Sequence, residues 1–144
     1  MNLLSLKPIP QMDFAELSRP ASPNTFLVCP AGFSASSPDQ EAPVFPCAQE
    51  RLIANWETMV SAQPRTVEHD RSDDGLSRTY VQRSLLVGYP DVISVQFIPK
   101  SEASWSLAVY SRSQYGHSDF GVNRRRVLDW LANLEKIMVQ IQPT

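Results

Sequence analysis

Two runs in the second half of the chain, DVISVQFIP (91–99) and SWSLAVYSRS (104–113), constrain the fold most, because both alternate apolar and polar residues. A period of two sends successive side chains to opposite faces of a strand. Ile93, Val95 and Phe97 therefore share one face, with Ser94 and Gln96 on the other. In the second run Trp105, Leu107 and Val109 share a face, and Ser106, Ala108, Tyr110 and Arg112 share the opposite one. The short connection PKSEAS (99–104) is too brief for a parallel crossover, so the two strands pair antiparallel. A ribbon of this kind has an apolar face that another layer must cover.

The sequence supplies that layer twice. From Val122 to about Gln140, Val127, Leu128, Leu131, Leu134, Met138 and Ile141 recur at helical spacing, flanked by Trp130 and Ile137, and Pro143 lies beyond. Between residues 47 and 62, Leu52, Ile53, Trp56, Met59 and Val60 form a second stripe, which Pro64 ends. Residues 65–70 and 78–87 read as a hairpin around the turn-forming DDG of 73–75, and GYPD (88–91) as the next turn. TFLVC (25–29) reads as a short strand, and 30–46 as proline-punctuated loop. Eight of the twelve prolines lie at or before Pro46. The expected fold class is α+β: a two-layer sandwich, an antiparallel sheet of about four or five strands with two helices packed on one face. The expected organisation is an extended N-terminal arm over 1–23 that lies across the body, with one helical turn at Asp13–Leu17, and a single α+β domain over 24–144.

Composition removes several classes of function. A formal net charge of −2 lacks the basic footprint of a general nucleic-acid binder. No apolar run approaches the ~20 residues of a membrane span. MNLLSLKPIP has no basic segment followed by a long apolar core, so a cytoplasmic location is expected. The two cysteines, Cys29 and Cys47, read as free thiols, and with two histidines they give no metal-ligand spacing; neither a metal nor a cofactor is expected. No Walker loop, dinucleotide fingerprint or nucleophile elbow occurs. His117, Ser118 and Asp119 are adjacent on one loop, and adjacency does not make a catalytic triad. His69 reads as hairpin surface, and Trp56, Trp105 and Trp130 as core.

One stretch is left to explain. GHSDFGVNRRRV (116–127) puts three arginines at the start of the last helix, where the dipole disfavours cations. At about 100° per residue, Arg125 points to solvent, Arg124 and Arg126 flank the apolar face, and Asn123 turns inward, one turn before Val127. Asp119 or Ser118 suits the N-cap. Arg83 sits among Val81, Leu85 and Val87 by alternation and needs a partner, and Arg112 ends the strand before the corner. A helix start that gathers backbone N–H groups and guanidinium groups suits negative charge.

YSRSQYGHSDFGVNRRRV resembles the C-terminal motif of the domain-of-unknown-function family 1499, through Ser118, Asp119, Phe120, Gly121, Val122, Asn123, Arg124 and Arg126. RPASPN (19–24), VQRS (81–84) and YPD (89–91) resemble a bacterial branch of the same family, over about residues 13–136. Where the familiar form of the motif has arginines, this chain has Tyr110 and Gln114, and it supplies Arg112 instead. The resemblance implies the domain extent and marks the corner; it implies no substrate. The expected ligand-binding residues are Arg83, Arg112, Asp119, Asn123, Arg124 and Arg126. Two functions fit them: a non-catalytic module whose corner is structural or holds an anionic small molecule or an acidic protein segment, or a small enzyme acting on an anionic substrate held there.

Overall fold

A computed structural model of the chain describes residues 4–20, 24–115 and 121–141. The fold is α+β, and the two alternating runs are its centre. They form β5 (Pro90–Ser101) and β6 (Ser104–Ser113), paired antiparallel from Asp91↔Ser113 to Ser101↔Ser104. The preceding hairpin is β3 (Thr66–Arg71) and β4 (Ser77–Arg83). On the other side of β6 lie β1 (Thr25–Cys29) and the two-residue β2 (Gln40–Glu41). The sheet therefore has six strands, in the order β2-β1-β6-β5-β4-β3, rather than four or five. It is also mixed, because β2 runs parallel to β1. Two residues in a proline-rich loop carry no periodicity to announce a strand. The far edge strand, β3, is TVEHDR, whose charged and polar side chains discourage pairing with another chain.

Helices α1 (Gln49–Ser61) and α2 (Val122–Ile141) cover one face. Their stripes meet Ile93, Val95, Phe97, Leu107 and Val109 in the main core. Trp130 lies at the centre of this core rather than on its flank: it is edge-on to Trp56 at 6.0 Å and to Tyr80 at 6.2 Å. Trp56 Nε1 donates to Tyr80 Oη at 2.9 Å, so the buried indole and phenol satisfy each other.

The sheet's other face is not left to solvent, as a two-layer sandwich would leave it. Residues 4–20 run across it, and Phe14 packs on Leu27, Cys29, Ile98, Ala108 and Tyr110 in a second apolar cluster. Asp13 caps a single 3-10 turn at Phe14–Glu16 by accepting from the Ala15 amide. At the edge of this face Lys7 N–H donates to Gln114 Oε1, and Gln114 Nε2 donates back to Lys7 O.

The expected strand over 78–87 stops at Arg83. Ser84 and Tyr89 close a tight loop through two mutual hydrogen bonds, and Gly88 takes φ +78° within it. Leu85, Leu86 and Val87 are exposed there and do not extend the face of Val81. Among the described residues no helix is long and apolar enough to cross a membrane.

Candidate functional site

The junction of the last strand and last helix is built around Arg126. Asn123 and Arg126 are three residues apart, so they share one face of the first turns of α2. That face rests on neighbouring strands whose register aligns Gln82 with Asp91 and Asp91 with Ser113. Arg126 Nη2 meets Asp91 Oδ2 at 2.8 Å, with both side chains about nine-tenths buried. Its Nη1 donates to Ser111 Oγ at 3.0 Å and to Asn123 Oδ1 at 2.7 Å, and its Nε donates to Gln82 Oε1. Asn123 is turned inward, as helical spacing predicts. It accepts from Ser111 Oγ at 2.6 Å and donates to Asn24 O at 2.9 Å and Ser113 Oγ at 3.1 Å. All three guanidinium nitrogens of Arg126 are thus engaged by protein acceptors, and the ensemble ties α2 to β4, β5, β6 and the residue before β1.

The sequence singles out three other arginines, and they do not join this knot. Arg124 is exposed, with its guanidinium 5.7 Å from the centre of the Phe26 ring. Arg83 and Arg112 lie on the opposite face of the sheet, under the arm. Arg83 Nη1 donates to Leu4 O at 2.7 Å and Gly88 O at 2.9 Å, fastening the arm and the loop to the sheet end. Asp119, with His117 and Ser118, lies outside the described residues.

Arg112 stands apart from the rest. Strand alternation puts it beside Tyr110, whose ring centre is 4.9 Å away. Its Nη1 donates to Ser94 Oγ at 3.0 Å and Tyr110 O at 3.3 Å. No carboxylate pairs with it among the described residues. Burial without a counter-charge lowers its pKa to about 10, so it is still a cation at neutral pH. It borders an open cleft of about 560 Å³ between arm and sheet, where Lys7, Asn24, Val92, Tyr110 and Gln114 also contribute. The cleft is mixed in charge, since Asp13 and Glu16 of the arm stand on its wall.

Asp91, Gln82, Ser111 and Ser113 belong to the Arg126 knot but were not among the expected site residues. A signal for part of it exists: Asn24 closes RPASPN, Gln82 lies in VQRS and Asp91 closes YPD. Each motif fragment that carries the family resemblance thus delivers a group to the same knot. The remaining reactive side chains lie elsewhere. Cys29 and Cys47 are free and buried, and burial raises both thiol pKa values. His69 is exposed on β3. Among the described residues no cluster of histidine, cysteine, aspartate and glutamate is arranged to hold a metal ion.

Comparison with known proteins gives a family and distant structural likeness. The crystal structure of TTHA0849 from Thermus thermophilus aligns with 71% of this chain and 97% of its own at 10% identity and a TM-score of 0.36. No curated protein sequence gives a significant match. The family profile described as "Protein of unknown function (DUF1499)" matches residues 17–134, which contain the whole sheet and most of α2. The chain belongs to the DUF1499 family.

Proposed function

We propose that the protein is a binding module that takes a small anion, a carboxylate or a phosphate, in the cleft bordered by Arg112. The observation that carries this reading is a guanidinium held deep beside a cleft with no carboxylate partner among the described residues. A buried charge without a counter-ion is costly, and a guest anion supplies the missing partner through a forked contact. Lys7 at the cleft mouth adds a second cation. Arg126 and Asn123 have the different task of scaffolding, since their polar atoms are already engaged by the protein.

The test is thermal unfolding of the native protein and of Arg112→Gln against phosphate, sulfate and a dicarboxylate. Ligand at about a hundred times its dissociation constant stabilises the native state by about 2.7 kcal/mol, which moves the melting temperature by several degrees. The native protein gains this shift and Arg112→Gln does not. An absent shift in the native protein, or an equal shift in the variant, overturns the reading.

A further inference from the structure

The loop between β4 and β5 puts three consecutive aliphatic side chains into solvent. Leu85 is 69% exposed, Leu86 83% and Val87 45%. Aliphatic residues scattered singly on a surface need no explanation, but a run of three on the tip of a tightly closed loop does. The two mutual Ser84–Tyr89 hydrogen bonds hold the tip in shape, so its exposure is built into the loop.

The surroundings of this tip specify its partner. Strand register puts the tip at the same end of the sheet as the start of α2, because Arg83 pairs with Pro90, Asp91 with Ser113, and Arg126 reaches Asp91. Exposed cations ring this end: Lys7, Arg65, Arg124 and Arg125. The half-buried rings of Tyr89 and Tyr115 stand at the same end, 6.2 Å apart, with Lys7 Nζ 4.3 Å from the centre of Tyr115. Asp91, the acid next to the loop, is already engaged by Arg126. The exposed acids Asp73 and Asp74, in the β3–β4 turn, and Glu102, in the β5–β6 turn, lie at the opposite end of the sheet. Lys100 stands beside Glu102 there, and Asp13 and Glu16 share the Arg112 cleft with Lys7, so the tip end owes its positive character to Arg65, Arg124 and Arg125, which it combines with an aliphatic tip and two tyrosines.

Those groups match the chemistry of a bilayer surface, which offers hydrocarbon, an interfacial zone that tyrosine favours, and anionic headgroups. We infer that this end of the protein docks peripherally on an anionic lipid bilayer, with Leu85, Leu86 and Val87 entering the acyl boundary and the cationic rim meeting the headgroups. The inference shares only Lys7 with the Arg112 cleft, and it gives the exposed Arg124 and Arg125 at the start of α2 a role distinct from that of the buried Arg126.

The experiment is sedimentation of the full chain with vesicles of phosphatidylcholine alone and of phosphatidylcholine mixed with phosphatidylglycerol. The native protein co-sediments with the mixed vesicles, and added salt releases it. Leu86→Ser weakens partitioning by about tenfold, given the apolar area it withholds from the acyl boundary. Arg124→Gln weakens it by about fivefold. Both side chains are exposed, so unchanged melting temperatures verify that the variants fold. Arg112→Gln leaves vesicle binding unchanged, which separates this docking from the anion cleft. The inference fails if the native protein stays in the supernatant with both vesicle types, or if Leu86→Ser co-sediments as the native protein does. It also fails if Leu86 mediates only self-association without lipid.

Discussion

Replacing Arg126 with methionine leaves a side chain of similar length in the knot and removes every charged contact. Asp91, whose side chain is 10% exposed, then keeps its carboxylate without the guanidinium now 2.8 Å away. Gln82 Oε1 loses its Arg126 donor, and Ser111 Oγ no longer receives one from Nη1. Asn123 is affected less, since Ser111 Oγ still donates to its Oδ1 at 2.6 Å. Removing one partner of a buried ion pair costs about 3–5 kcal/mol, mainly because the remaining charge stays desolvated. A domain of this size is stable by about 5–15 kcal/mol, so the variant unfolds at a far lower urea concentration. Fluorescence of the buried Trp56 and Trp130 reports the transition. Pairing the change with Asp91→Leu tests the cause. If the stranded carboxylate dominates, the double variant recovers at least about 1 kcal/mol relative to the sum of the single losses. A loss below about 1 kcal/mol for Arg126→Met, or strict additivity with Asp91→Leu, refutes the assignment of Arg126 as the buried clamp of the junction.

Two further outcomes follow from local geometry. Gly121 enters α2 at φ +81°, so Gly121→Ala costs about 1–2 kcal/mol in urea unfolding, whereas a change within experimental error means that this turn is not strained. Arg71 hydrogen-bonds Glu68 and, against a smaller opposing effect of burial, holds its carboxyl below the ordinary value. The stabilisation is therefore complete above the unfolded-state pKa and is lost as pH falls through the folded one. The pair is substantially exposed, so Glu68→Gln lowers stability at pH 7 by less than about 1 kcal/mol and narrows the difference from the native protein below about pH 4. A constant difference across that acid range contradicts this.

How much of the fold could be read in advance depended on which signals are local. Alternation in β5 and β6 assigned Leu107 and Val109 to one face and Tyr110 and Arg112 to the other, and the helical period turned Asn123 inward. A local pattern misleads where a distant contact or a loop closure decides. Leu85 and Val87 looked like a continuing strand face, but backbone closure between Ser84 and Tyr89 turns them out to solvent. Arg112 is near the helix start in sequence, yet strand parity sends it through the sheet, away from Arg126. The two residues of β2 have no periodic signal, and the N-terminal arm, expected to lie across the body, has none to say which face it covers.

Periodicity along the chain identifies both helices and the long central strands and the apolar side of each, because that pattern repeats over a few neighbouring residues. The partners of Arg126 follow from folding, since Gln82, Asp91 and Ser111 come from three strands and meet through their register. The cleft beside Arg112 likewise needs the folded chain, because its opposite wall is an arm about a hundred residues earlier in the chain. Charges in this protein acquire their meaning from neighbours that hydrogen-bonded register brings within about 3 Å, and no short window of sequence contains that information.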